Sequence, residues 1–160
     1  MGNAIISANA ADPTEPIAFL AESDAPGTIL LRVRYVECDP MKVAHHSAYL
    51  AWMEMARTEL FRRCGIAYRD METCGQFMVV ARLSIRYRQP ARYDDILAIH
   101  CHTRVCRRAK LEHIYEIRRD GQLLATAETT LVCIDREGQP QPIPEKLCHQ
   151  PALNQSLHCF

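Results

Sequence analysis

The sequence predicts an α+β fold in which an antiparallel sheet wraps around one long central helix, in the order β-α-β-β-β-β. Two observations carry this expectation. One long apolar stretch at helical spacing, Ser47 to Cys64, is followed by runs in which apolar and polar residues alternate. Those later runs are joined by short turns, and strands joined by short turns lie antiparallel. A helix that is apolar over most of its circumference needs cover, so the sheet is expected to curl about it.

Each element follows from local signals. Thr28 to Val36 is a strand candidate, followed by a loop from Glu37 to His46 that Pro40 punctuates. Ser47 is the expected N-cap of the helix, Arg62 and Arg63 suit its negative end, and Gly65 stops it. Tyr49, Trp52, Met53, Ala56 and Leu60 recur at helical spacing, and Leu50 and Phe61 widen the stripe. From Val79 to Tyr87 the odd positions are apolar, until Pro90 ends the run. Leu97, Ile99, Cys101, Thr103 and Val105 repeat the pattern, with His100, His102 and Arg104 on the other face. Leu111 to Arg119 and Leu123 to Ile134 are the last strands, and Asp120-Gly121 between them is a hairpin signature. Residues 1–27 are expected to be a flexible N-terminal arm, 28–140 the domain, and 141–160 a C-terminal tail.

A length of 160 residues suits one domain, and 48% hydrophobic residues are enough for a core. Nineteen Lys and Arg balance nineteen Asp and Glu. A protein that wraps nucleic acid or lies on anionic lipid should be visibly basic, so neither partner is expected. No apolar run approaches the roughly 20 residues of a membrane helix. Residues 1–27 contain no Lys or Arg, unlike a secretory signal, and Ile6 does not fit a myristoylation site after Met1-Gly2. A cytoplasmic protein is expected, with its eight cysteines reduced, since no two are spaced C-x-x-C. A glycine-rich phosphate loop and the G-x-S-x-G nucleophile motif are both missing from the sequence. Exposed sheet edges need cover, which argues for a dimer.

The chemistry concentrates before and within the helix. Asp39 stands on a loop seven residues before His46, at the mouth of the helix. A helix start offers unpaired N–H groups and a positive dipole end. Such N–H groups can polarise a carbonyl and hold its oxyanion, while a carboxylate attacks that carbonyl or activates a water. The simpler role for Asp39 is an Asx-type turn after Pro40. Arg57 falls inside the apolar arc of the helix, and Glu54, three residues earlier, is within reach for an ion pair. Glu54 is also a reserve candidate for a general base. His45 and His46 are adjacent, so their rings should point to opposite sides, and neither they nor the pair His100 and His102 indicate a metal. Arg107, Arg108 and Lys110 form a basic turn that suits a phosphate or an ordinary polar face equally.

Taken together, Tyr35, Asp39, Val43, His46, Tyr49, Glu54 and Arg57 resemble the pattern of the YbgC/4-hydroxybenzoyl-CoA thioesterase branch of the hot-dog fold. The segment from Arg86 to Asp95 is similar to that family's strand-to-turn segment, and the likeness spans about 30–136. The resemblance implies a helix wrapped by an antiparallel sheet, homodimers or homotetramers, and hydrolysis of acyl-CoA without metal or cofactor. It implies that Asp39 is the catalytic carboxylate, that the His46 backbone N–H polarises the carbonyl, and that the site lies at a dimer interface. Lys42, His45, Tyr49, Arg107, Arg108 and Lys110 are the candidate substrate-binding residues. Pro40-Met41-Lys42 lacks the family's loop glycine, and His45 stands where an aromatic residue is common. The alternatives are a non-catalytic acyl-CoA-binding protein, or a hydratase/dehydratase that would use His46 with Glu54.

Overall fold

Eighteen residues, His46–Arg63, form the long helix α1, which lies against one face of a six-stranded sheet. The structure is a computed structural model and describes residues 20–22 and 27–148. The strands are β1 (Leu20–Glu22), β2 (Thr28–Arg32), β3 (Phe77–Tyr87), β4 (Ile96–Cys106), β5 (Lys110–Arg119) and β6 (Gln122–Ile134). A short helix, α2 (Tyr68–Thr73), joins α1 to β3. All pairings are antiparallel, in the spatial order β1-β2-β4-β5-β6-β3. The expected α+β order is present, with β1 and α2 added to it.

The helix buries Ala48, Tyr49, Trp52, Met53, Ala56, Arg57, Leu60 and Phe61. These positions recur every three to four residues and make one stripe. Trp52, Ala56 and Phe61 are fully covered. Facing them are Ile29, Leu31 and Val33, then Leu97, Ile99 and Cys101 of β4, and Tyr115 and Ile117 of β5. A fully buried large apolar side chain stabilises by about 1.5–3 kcal/mol, so this stripe is what fixes the helix on the sheet. Asp120 and Gly121 both take positive φ (48° and 79°) and close the β5–β6 hairpin as their sequence requires.

Several expectations need correction. The N-cap of α1 is His45 rather than Ser47: the His45 ring accepts from the Ser47 N–H, and the His45 carbonyl accepts from Ala48 N–H. Leu50 does not widen the buried stripe; it is 44% exposed, because the sheet covers one side of α1 and not the other. Arg57 is buried, but its partner is the Tyr68 hydroxyl at 2.9 Å; no ion pair joins it to Glu54 among the described residues. Consecutive strands β3 and β4 are not neighbours, since residues 88–95 carry the chain from one edge to the interior of the sheet. The alternating apolar residues of β3 are largely exposed, including Val79, Leu83 and Tyr87. Among the described residues only β6 pairs with β3, which makes it an edge strand there.

The cysteines are not all reduced. Cys106 and Cys148 form a disulfide with Cα atoms 5.3 Å apart, while Cys38, Cys64, Cys74, Cys101 and Cys133 are free. The core also runs past residue 140. Ile143 N–H donates to the Arg108 carbonyl, Gln141 N–H donates to that of Cys133, and Leu147 is fully buried. Ile143 and Leu147 join Phe61, Met71, Leu111, Leu131 and Cys133 in a second apolar cluster at the C-terminal end of α1. At the other terminus, Gly27 (φ 76°) packs so closely on Cys101 that a Cβ would lie 2.1 Å from its carbonyl oxygen. Most of the expected N-terminal arm, and residues 149–160 of the tail, lie outside the described residues.

Candidate active site

The loop that carries Asp39 is a closed, hydrogen-bonded unit. Cys38 and Ala44 form a bridge across it. Asp39 N–H donates to Val43 carbonyl at 2.9 Å, Lys42 N–H donates to Asp39 carbonyl at 2.9 Å, and His45 N–H donates to Glu37 carbonyl at 2.8 Å. Lys42 takes φ 61°, the left-handed region that a glycine would enter without strain.

Asp39 is half-buried, and its Oδ1 accepts from the Met41 N–H at 2.8 Å. The Asx turn therefore forms, and it occupies one carboxylate oxygen. Asp39 has no ion pair with Lys42 among the described residues. The His46 N–H opens α1, so no carbonyl of the helix can accept from it, and it is absent from the backbone hydrogen bonds of the described residues. The positive end of an 18-residue helix dipole thus points out beside a carboxylate.

Asp39 lies between two clefts. One, of ≈ 370 Å³, is walled by Val43, Ala44, His46, Tyr49, Tyr87 and the segment Arg88-Gln89-Pro90. The other, of ≈ 450 Å³, is walled by Arg34, Glu37, Cys38, His45, Ser47 and Ala51 among others.

The structure brings Asp39, Lys42, His45, His46 and Tyr49 to this end of the helix. The Tyr49 ring is buried, and its hydroxyl accepts from the Ala91 N–H at 3.3 Å. Burial holds that phenol above its ordinary pKa, so it stays protonated. The Ala91 carbonyl in turn accepts from Ala44 N–H at 2.8 Å, tying the Pro90-Ala91 segment to the loop. The rings of His45 and His46 do not point apart: their centroids are 4.0 Å from each other, because the chain turns into the helix between them. No group of three metal-ligating side chains exists among the described residues.

Glu54 is exposed and lines neither cleft. Arg107, Arg108 and Lys110 sit elsewhere in the chain. Their turn is closed by hydrogen bonds between the Arg107 and Lys110 backbones, and it adjoins the cluster around Phe61. Phe61 is fifteen residues along α1 from His46, about 22 Å at 1.5 Å per residue. Lys110 is ion-paired to Glu112, which also holds Arg104 at 3.0 Å.

Sequence reasoning missed Glu37 and Tyr87. The Glu37 carboxylate accepts from the Arg34 N–H (2.7 Å), the Arg34 guanidinium (2.8 Å) and the Trp52 indole (3.0 Å). Burial alone would raise its pKa; the hydrogen bonds from Arg34 and Trp52 outweigh it and hold the group below the usual carboxylate range. Tyr87 stands at the end of β3, edge-on to Tyr49 at 5.0 Å, with its hydroxyl 3.4 Å from the His46 carbonyl. Glu37 could have been found from its place two residues before Asp39; its partner Trp52, fifteen residues away, could not.

The model of the thioesterase-like superfamily matches residues 33–150. The chain belongs to that superfamily. It is 30% identical over 119 residues to the acyl-CoA thioester hydrolase YbgC of Escherichia coli O157:H7, covering 73% of this chain and 89% of that one. YneP of Bacillus subtilis is 33% identical over 108 residues, covering 67% of this chain and 78% of YneP. The crystal structure of a DHNA-CoA thioesterase from Staphylococcus aureus superposes with a TM-score of 0.70 at 29% identity, covering 72% of this chain and 78% of that one. A hypothetical protein from Aquifex aeolicus gives 0.72 at 26% identity, covering 76% and 95%. The sheet and its one long helix are those of the hot-dog fold. No helix among the described residues is long and apolar enough to cross a membrane.

Proposed function

We propose that the protein hydrolyses an acyl-CoA thioester to the free acid and CoA, with Asp39 and the His46 N–H as the reacting pair. The observation that carries this reading is their meeting in one cleft, with one Asp39 oxygen outside the Asx turn and the N–H outside the helix ladder. The N–H polarises the thioester carbonyl and stabilises the oxyanion. Asp39 attacks the carbonyl carbon or activates the water that does. In the net reaction a water oxygen bonds to the carbonyl carbon, the C–S bond breaks, and the sulfur leaves with the proton taken from water. Lys42, His45 and Tyr49 border the reacting groups as substrate-binding residues. Arg107, Arg108 and Lys110 serve a bound CoA only if it reaches them from a neighbouring subunit, since they lie at the far end of α1. A CoA-dependent reaction supports a cytoplasmic site of action, although the Cys106–Cys148 disulfide departs from the reduced cysteines expected there.

A second copy completes the site in this reading, as a dimer or a pair of dimers. Strand β3 is an eleven-residue edge whose Val79, Val80, Leu83 and Tyr87 are each about 40–50% exposed, and an apolar edge of that length calls for a partner. Tyr87 belongs both to that edge and to the cleft of Asp39, so a partner along β3 would also wall the site. The hydratase reading loses support because Glu54 lies outside both clefts.

The test is CoA release from short, long and aromatic acyl-CoAs, read by mass because free cysteines would react with a thiol dye. Asp39→Asn keeps an acceptor for the Met41 N–H, so the loop should survive. Its turnover should fall by about a thousandfold or more. Full activity in that variant sinks the assignment, and binding without turnover in the wild type points to an acyl-CoA-binding protein.

A further inference from the structure

We propose that Glu37 is a positioning residue for the reaction at Asp39, locking the loop that carries the carboxylate to the helix that carries the N–H. The proposal rests on the reading of Asp39 and His46 given above. That chemistry draws its two halves from different elements. A misplacement of about 1 Å between reacting groups can cost a hundredfold in rate, so something must hold loop and helix in register.

The backbone bonds of the loop fix it internally, from Glu37 to His45, and the Ala44–Ala91 bond fixes its far side to the strand connection. The side-chain link from the loop's base to the body of α1 is Glu37. Its carboxylate reaches Trp52, which is fully buried, its ring centroid 4.7 Å from that of Tyr49 with the planes tilted by 48°. Tyr49 meets Tyr87 and the Ala91 N–H in the cleft wall. One chain of contacts therefore runs from the residue two before Asp39, through Trp52 and Tyr49, to the wall opposite.

A role confined to the local turn does not account for this. The two bonds from Arg34 belong to the 3-10 turn Tyr35–Glu37 and need nothing from the helix. The third bond comes from fifteen residues away and uses a side chain that is otherwise core. The Glu37 side chain is 9% exposed. A carboxylate so largely covered is costly unless its oxygens are bonded, and here both are engaged, by three donors. A glutamine cannot copy the arrangement, because its NH₂ would face a donor.

The test compares Glu37→Gln, Glu37→Asp, Trp52→Phe, the double variant Glu37→Gln/Trp52→Phe, and Asp39→Asn in the full chain. Turnover is measured on the same acyl-CoA panel, and folding is followed by circular dichroism. Glu37→Gln should lower kcat about 10- to 100-fold and leave KM within about twofold, as expected for lost alignment in the transition state. Glu37→Asp should recover part of the loss. The double variant should be no worse than Glu37→Gln, because both changes break one link. Trp52 is the only tryptophan of the chain, so its emission should shift in Glu37→Gln while the circular dichroism does not change. Wild-type kcat in folded Glu37→Gln, with Asp39→Asn inactive, overturns the proposal and spares the reading of Asp39. A loss that merely tracks the unfolded fraction also overturns it. Full turnover in Asp39→Asn overturns that reading and the proposal with it. If Glu37→Gln does not fold, Glu37→Asp and Trp52→Phe carry the same comparison.

Discussion

At its N-terminal end α1 meets a solvent-facing surface: His45, His46 and Ser47 are exposed, and Asp39 lies between two open clefts. At its C-terminal end the same helix buries Phe61 completely among Met71, Leu111, Leu131, Ile143 and Leu147, and a disulfide holds the covering segment in place. One end keeps an N–H and a carboxylate oxygen available. The other gives its space to apolar contact. The contrast shows how a small domain leaves groups unpaired for chemistry: the stability comes from elsewhere on the same helix.

Substitutions can separate the two ends. The largest effect expected away from the proposed pair, Asp39 and the His46 N–H, is at the bare edge. With the proposed second copy along β3, the wild type should elute as an oligomer in size-exclusion chromatography, and Leu83→Arg as a monomer that has lost most turnover; an active monomer would show that the open end is complete in one chain. At the closed end, Phe61→Ala should cost about 3–5 kcal/mol in denaturant unfolding, with kcat per folded molecule unchanged. A large drop in kcat there would mean the two ends are coupled. Cys148→Ser opens a loop of 42 residues' separation and should cost about 2–4 kcal/mol, again with little effect on kcat. Unfolding followed with and without a reductant gives the same comparison in the native chain.

Near neutral pH the smallest effect is one graded with pH. His113 is fully buried with neither ring nitrogen bonded. Burial, then the nearby Arg57 and His102 charges, pushes its pKa down from 6.5 to about 3. Between those values the unfolded chain binds the extra proton. Stability is therefore full above pH 6.5 and falls as the pH drops toward 3, by at most about 1.4 kcal/mol per pH unit for this group. His100 and His102, also lowered first by burial, add to that slope. His113→Phe should flatten it, and an unchanged slope in that variant would assign the acid sensitivity to other groups.

How much of this was legible in the sequence depended on the range of the signal. The spacing of Tyr49, Trp52, Met53 and Ala56 set the helix, and the alternation in each later run set the strands, because both are local periodicities. Asp120-Gly121 placed its hairpin for the same reason. Which strands pair is not a local property: nothing in Phe77 to Tyr87 says that its neighbour is β6 and not β4. The contacts of Cys106 with Cys148, and of Glu37 with Trp52, span distances over which no pattern runs. The buried His113 was open to the same reasoning, since it alternates with Leu111, Tyr115 and Ile117. The candidate residues around Asp39 were legible as a group because they are contiguous in the sequence. Placing Arg107, Arg108 and Lys110 beside them was an inference from charge alone, and the chain puts the length of a helix between the two groups.

The crossing from β3 to β4 also sets an order of assembly. β4, β5 and β6 form a meander of adjacent hairpins, whereas β3 pairs Phe77 with Ile134 and Tyr87 with Ala125. Loop closure over such separations is slow, and local pairing precedes it. β3, like β2, which pairs Thr28 with His100, is therefore expected to dock after the meander, and β3 is also the strand whose outer edge stays bare once docked. Refolding yield should fall as protein concentration rises through the window in which that edge is bare.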